Sequence, residues 1–184
     1  MAESTDFLKL ANERQSDRKY HDKPVEEEKL NRCLEAARLA PSACNAQPWK
    51  FIVVNDSEIK NSLAELTTSG RLIPINHFTR QAPLHVVLIM EKPNLTSKFG
   101  ELVKSKKYTL MDVGIAASHF CLQAAAEGLG TCMIGWFDEP GVRKLLNIPD
   151  NKRPMLIITL GYPAGNKRKK RRKEMNRIVS YNSY

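Results

Sequence analysis

The chain has 184 residues, 42% hydrophobic and 27% charged, which sets a disordered polypeptide aside and leaves room for one ordinary core. The formal net charge is +9, but seven positive charges sit in one run, Lys167-Arg168-Lys169-Lys170-Arg171-Arg172-Lys173, and the remainder is close to balance. A surface that is basic throughout, as nucleic-acid binding over the whole protein would need, is therefore not expected.

No stretch approaches the roughly 20 apolar residues of a membrane span. Residues 1–14 lack the apolar core of a secretory signal, so a cytoplasmic protein without a membrane partner is expected.

Pro24-Val25-Glu26-Glu27-Glu28 opens a helix, with proline near the first turn and acids at the positive end of the helix dipole. Leu30, Cys33, Leu34, Ala37 and Ala40 recur at helical spacing until Pro41 stops it. Phe51-Ile52-Val53-Val54 is an apolar, β-branched run that predicts a buried strand. A helix capped by Ser57 is expected over 57–66. His85-Val86-Val87-Leu88-Ile89-Met90 predicts a second buried strand.

Residues 92–108 are polar, contain Pro93 and Gly100, and suggest a mobile insertion. The pattern over 110–127, with Val113, Ala116, Ala117, Phe120 and Ala124, predicts a central helix buried on most sides. Gly128-Leu129-Gly130 ends it. Further strands are expected over 131–135 and 155–160, with a short helix over 140–146 between them. Helices and strands alternate without a repeat or a linker, so a mixed sheet packed by helices is expected.

Cys33, Cys121 and Cys132 lie in apolar runs and suit a core, whereas Cys44 sits in a small polar turn and could be exposed. None has a partner at zinc-ligand spacing, and no metal site is expected. Nor is there a Ser-His-Asp arrangement. His21, His77, His85 and His119 are scattered.

Two segments carry chemistry. In Arg14-Gln15-Ser16-Asp17-Arg18 the alternate residues Arg14, Ser16 and Arg18 project to one side of an extended chain, where two guanidinium groups and a hydroxyl suit a phosphate. In Pro41-Ser42-Ala43-Cys44-Asn45-Ala46-Gln47-Pro48-Trp49, small residues let backbone approach a flat ring, and the Asn45 and Gln47 amides offer donors and acceptors to it. Trp49 fits a core anchor.

Together these segments resemble the FMN-dependent nitroreductase family, small bacterial type. The likeness rests on Arg14-x-Ser16-x-Arg18, on Lys23-Pro24-Val25, and on Ala-Ala-Arg-Leu-Ala-Pro-Ser-x-x-Asn-x-Gln-Pro-Trp over 36–49. It continues through Asp112-Val113-Gly114-Ile115-Ala116, Glu127-Gly128-Leu129-Gly130-Thr131-Cys132, Ile134-Gly135-Trp136-Phe137-Asp138 and Leu160-Gly161-Tyr162-Pro163, and so covers nearly the whole chain.

The resemblance implies an α+β fold, with a mixed but mainly antiparallel sheet flanked by helices around a central buried helix. It implies one FMN-binding domain over 1–184 with a basic C-terminal arm over 164–184. Arg14, Gln15, Ser16 and Arg18 match the flavin segment, Arg14 and Ser16 toward the phosphate and Arg18 near the pyrimidine edge of the ring. Pro41, Ser42, Ala43, Asn45 and Gln47 match a turn that reaches the flavin of a partner subunit. Ile134 and Gly135 match backbone beside the reactive nitrogen. Lys170 and Arg172 match a basic pair at the phosphate, in a run that offers several registers.

Asn76, by its distance from the following strand, matches a family asparagine that the resemblance puts near the flavin. Asp112 has a sufficient structural reason as an acid at a helix N-terminus. Residues 178–181 resemble a terminal arm that wraps onto the other subunit of a homodimer.

The function so implied is an FMN-dependent oxidoreductase. It would pass hydride from NAD(P)H to an electron-poor acceptor such as a nitroaromatic or quinone, by alternating (ping-pong) binding. Arg18 is the catalytic candidate, because a fixed cation at the pyrimidine end favours the reduced ring. Missing acid-base and metal machinery fits chemistry performed by a cofactor. Rival readings keep the fold with reductive dehalogenation or flavin cleavage, or use 167–173 to bind nucleic acid. The last predicts aromatic residues among the charges, and none occurs before Tyr181.

Overall fold

The computed structural model describes residues 7–68, 75–92 and 107–184. These form five α-helices, α1 (Phe7–Glu13), α2 (Glu27–Arg38), α3 (Ser57–Leu66), α4 (Tyr108–Ala126) and α5 (Glu139–Leu145). The four strands are β1 (Trp49–Val54), β2 (Leu84–Met90), β3 (Gly130–Ile134) and β4 (Arg153–Gly161). The sheet order is β1-β2-β4-β3, with every strand pair antiparallel. The parallel contribution is one isolated bridge, Ser16 to Thr131. The α+β expectation holds. The insertion expected over 92–108 lies almost wholly outside the described residues.

The continuous apolar run of β2 reflects a sheet covered on both faces. Val86 and Leu88 face a cluster with Cys33 and Ala37 of α2 and Val113, Phe120 and Ala124 of α4. Val87 and Ile89 face the opposite cluster, with Leu63 of α3 and Val142 of α5. Period-two alternation therefore sorts apolar residues between two cores. Eight residues of α4 are buried, as its all-round apolar pattern requires. Trp49 packs against the α2–α4 cluster, consistent with a core anchor.

Three helix boundaries differ from expectation. Helix α3 is capped by Asp56, whose carboxylate accepts from Glu58 N at 3.0 Å and Ile59 N at 2.9 Å, and Ser57 is its first helical residue. A carboxylate there serves the orphan N–H groups and the helix dipole together. Helix α2 starts at Glu27, beyond Pro24, and ends at Arg38, ahead of Pro41. Helix α4 ends as expected: Gly128 takes φ +74°, and Leu129 N donates to Ala124 O at 2.8 Å.

The start of the chain fastens to the free edge of β3 and the exit of β4. Asp17 N donates to Thr131 O at 2.8 Å, His21 N to Tyr162 O at 2.9 Å, and Ala164 N to Lys19 O at 3.0 Å. The Tyr20 hydroxyl lies 2.6 Å from Thr159 Oγ1 and donates to Asp17 O at 2.8 Å. Among the described residues no helix is long and apolar enough to cross a membrane.

His85 opens the core run of β2 and is fully buried, with Nε2 3.0 Å from Thr79 O and Nδ1 without a partner among the described residues. Burial, with a smaller contribution from Lys60, pushes its pKa down to about 4. The folded ring stays neutral while an unfolded one gains a proton below about pH 6.5. Stability from this group is thus complete above about pH 6.5 and falls as pH drops toward 4, by up to about 3 kcal/mol. Urea midpoints measured from pH 7 to pH 4 should fall less steeply for His85→Phe than for the wild type. Parallel slopes would show that the ring does not titrate between the two states.

Candidate active site

The extended segment after α1 and the basic run after Gly165 meet in one cleft of about 380 Å³, lined by Arg14, Gln15, Ser16, Arg18 and residues 168–172. Pinning Asp17 to β3 sets the alternation: Asp17 is 8% exposed and turns inward, leaving its neighbours on the cleft side. Seven cations line this cleft, and among the described residues none is in an ion pair with a carboxylate. Burial raises the Asp17 pKa, against the opposing pull of the Gln15 hydrogen bond and the Arg168 and Arg14 charges.

Several side chains already have protein partners. Gln15 Nε2 donates to Asp17 Oδ1 at 2.8 Å, and its Oε1 accepts from Arg168 N at 3.0 Å, so both ends of the amide brace the wall. Lys170 Nζ donates to Arg14 O at 2.6 Å and to Ala11 O, at the end of α1. Desolvation, then the Arg14 and Arg172 charges, lower its pKa. Arg172 Nη1 donates to Arg171 O at 2.7 Å. Arg168 donates to Ser16 O at 2.5 Å. The sequence reading missed Arg168 because seven consecutive basic residues fix no register.

The guanidinium of Arg18 lies 5.9 Å from the centre of the Phe78 ring, a cation–π contact. Phe78 carries no sequence signal of its own. Two residues before it, Asn76 takes φ 60° and donates from Nδ2 to Thr67 O at 3.1 Å and Trp136 O at 3.4 Å. This links Arg18, through the 76–78 segment, to the exit of β3 at Ile134 and Gly135. Among the described residues a Cβ on Gly135 would meet only Leu156 Cδ2, at 3.8 Å, so their packing does not demand glycine there.

Pro41, Ser42, Ala43, Asn45 and Gln47 do not line the cleft. They form a separate turn in which Cys44, Asn45 and Gln47 have φ of 52°, 51° and 47°, costly for residues with a Cβ. Ser42 Oγ accepts from Gln47 N at 3.0 Å, and Gln47 Nε2 donates to Asn45 Oδ1 at 3.0 Å. The buried carboxylate of Asp112 accepts from Ala43 N at 3.2 and 3.3 Å. Asp112 is the fifth residue of α4, not its N-terminus, so its structural role is to clamp this turn. Cys44 is exposed, while Cys33, Cys121 and Cys132 are buried.

A family model described as "Nitroreductase family" matches residues 11–162. The chain belongs to the nitroreductase family. Its relatives include a Methanothermobacter thermautotrophicus protein that bears the name NADH dehydrogenase/NAD(P)H nitroreductase provisionally, 32% identical over 165 residues, covering 88% of this chain and 79% of that protein. The iodotyrosine deiodinase of Thermotoga neapolitana is 31% identical over 188 residues, covering 95% and 97%. Among solved structures, an FMN-dependent nitroreductase from Clostridium difficile superposes with a TM-score of 0.80 at 30% identity, over 96% of this chain and 99% of that one. Within this nitroreductase-family chain, motifs far apart in sequence thus converge on one fold.

Removing the Asp112 carboxylate leaves Ala43 N without its acceptor and a strained turn without its clamp. Asp112→Ala should lower stability by about 1–3 kcal/mol and raise amide exchange across 43–47. Asp112→Asn, which keeps one acceptor oxygen, should recover part of both. Unchanged exchange in the alanine variant would remove the clamp.

Proposed function

We propose that this chain is an FMN-dependent oxidoreductase that passes reducing equivalents from NAD(P)H to an electron-poor acceptor such as a nitroaromatic or quinone, by alternating binding in one cleft. The observation that carries the reading is the cluster of unneutralised cations where residues 14–18 meet 168–172. Like charges this close repel, and a dianionic phosphate relieves that repulsion while accepting charge-assisted hydrogen bonds. The Clostridium difficile relative, FMN-dependent by its title, supports the same cofactor.

In this reading Arg14 and Ser16 hold the phosphate, with Arg168 and Arg172 adding charge. Lys170 and Gln15, engaged by the protein, position that wall instead. Bound FMN would supply the redox chemistry. Arg18, held over Phe78, would supply a fixed cation to the pyrimidine edge, where reduction adds negative charge. Gly135 would present backbone without a Cβ to the ring, and Asn76 holds that backbone through Trp136 O.

The 41–47 turn lies outside this cleft and serves the site of a second copy, so the active unit is a homodimer. Exposed Leu39, Met111, Ile178 and Tyr181 are apolar surface for that association. Reductive dehalogenation in the same cleft is the second reading, favoured by the likeness to the Thermotoga neapolitana iodotyrosine deiodinase.

Three measurements test the reading. The purified or flavin-reconstituted protein should be yellow, and Arg14→Ala should weaken FMN binding about tenfold or more, by removing a contact worth roughly 1.5–3 kcal/mol. Arg18→Gln should retain FMN but lower its midpoint potential by on the order of tens of millivolts and slow reduction by NAD(P)H. An unchanged potential in a fully loaded variant would falsify the role of Arg18. Light scattering should give about twice the 20.9 kDa chain mass, and a flavin-bound active monomer would exclude the shared site. Nitroaromatic, quinone and iodotyrosine turnover then separate the two readings.

A further inference from the structure

The short turn His77–Gln81, with Asn76 before it, holds two parts of the candidate site. Asn76 Nδ2 donates to Trp136 O, and the Phe78 ring faces the Arg18 guanidinium. That guanidinium makes no hydrogen bond or ion pair among the described residues, which leaves the Phe78 ring to set its place. Neither Asn76 nor Phe78 lies in an α-helix or a strand.

The turn is gripped from the core side instead. Thr79 is fully buried; its Oγ1 donates to Asn76 O at 2.8 Å and lies 2.9 Å from Thr67 Oγ1, just past the end of α3. Its carbonyl lies 3.0 Å from Nε2 of the buried His85 on β2. Thr67, also fully buried, donates to Ala64 O at 2.7 Å, and its carbonyl accepts from Asn76 Nδ2 at 3.1 Å. Lys60 of α3 donates to Arg80 O and Ala82 O, each at 3.3 Å.

Three polar side chains, Thr67, Thr79 and His85, are thus fully buried where α3, β2 and the turn meet. Apolar residues would pack that junction without the cost of desolvating hydroxyls and an imidazole. Hydrogen bonds add direction, which packing alone does not, and a connected buried set leaves the turn one orientation. We propose that Thr79 is a positioning residue for the redox step. Acting through Asn76 and Phe78, it sets where the Trp136 carbonyl and the Arg18 charge stand. The proposal rests on the flavin oxidoreductase reading and extends it to a buried residue that does not line the cleft. A cation stabilises developing charge only if it is held in place beforehand, and a misplacement of about 1 Å can cost about a hundredfold in rate.

Thr79→Val keeps the shape of the side chain and removes its hydroxyl. Flavin-loaded Thr79→Val, Arg18→Gln and the double variant form a cycle with two readouts, the flavin midpoint potential and the rate of flavin reduction at saturating NAD(P)H. Thr79→Val should lower the potential and slow reduction about threefold or more. Its FMN affinity should hold within about twofold, because Arg14 and Ser16 are untouched. In the Thr79→Val background the effect of Arg18→Gln should shrink by about half or more, and Thr79→Ser, which keeps the hydroxyl, should restore both.

A purely structural Thr79 would lower the melting temperature and leave the two substitutions additive. That result, or an unchanged potential in Thr79→Val, overturns the proposal. Where Thr79→Val does not fold, Thr67→Val removes the other hydroxyl of the pair and runs the same cycle with the same outcomes. A wild type that binds no flavin, or a potential indifferent to Arg18→Gln, defeats the underlying reading instead. Amide exchange of the flavin-free protein separates the two failures. Thr79→Val should speed exchange across 135–137, and unchanged exchange there overturns the positioning role whatever the cofactor.

Discussion

The hydrogen bond from Asp17 N to Thr131 O, 2.8 Å long, holds an N-terminal segment against the free edge of β3, and the cleft depends on it. An edge strand presents unpaired backbone groups, and here part of that edge is covered by residues 16–17. Pairing straightens the covering segment and fixes which side chains turn in. The fit is close enough to exclude a side chain opposite: a Cβ on Gly130 would lie 2.7 Å from Asp17 Oδ2. Tyr20 completes the fastening from below, through Thr159 on β4.

This geometry explains why the cations are available. With Asp17 held inward and hydrogen-bonded to Gln15, the carboxylate that lies between Arg14 and Arg18 in sequence forms no ion pair with either. The fold thus sustains local like-charge repulsion, held in place by charge-assisted hydrogen bonds from Arg168 and Lys170 to backbone carbonyls. A bound anion removes part of that repulsion, so ligand affinity and fold stability are thermodynamically linked. The 41–47 turn follows the same logic in a different form. Backbone strain at Cys44, Asn45 and Gln47 persists because the buried Asp112 carboxylate and a local set of amide bonds over-determine the conformation.

Sequence reasoning reached the strands and the central helix because apolar periodicity is a direct imprint of burial, and both β2 and α4 are buried on nearly every side. It misjudged the cap of α3, since Asp56 and Ser57 are adjacent and both are good caps. Only the extended backbone of Asp56 decides between them. The N-terminal half of the cleft was legible from alternation in Arg14-x-Ser16-x-Arg18. The other half was not, because identical charges at consecutive positions carry no register, and the register is set by which cations reach the carbonyls of Ala11, Arg14 and Ser16. Gln15 shows a related limit: an amide suited to a ligand is equally suited to bracing Asp17 and Arg168. Phe78 supports Arg18 from sixty positions away, with no local pattern to announce it.

Gln15 and Arg168 lie 153 positions apart, yet a direct hydrogen bond joins them across the wall of the cleft. The two halves of that wall are separated by the whole of the sheet and its helices in sequence. During translation the first half emerges early, as a basic segment with no sheet to lie on. Its support, Thr131, and its counterpart, Arg168, follow only after more than a hundred further residues have been made. Closing so long a loop is entropically costly and slow compared with local contacts, which places the wall among the last features to form. A chain stalled before residue 168 lacks half the groups that face an anion. Capture of an anion by the complete cleft therefore reports that the 14–18 and 168–172 segments have met.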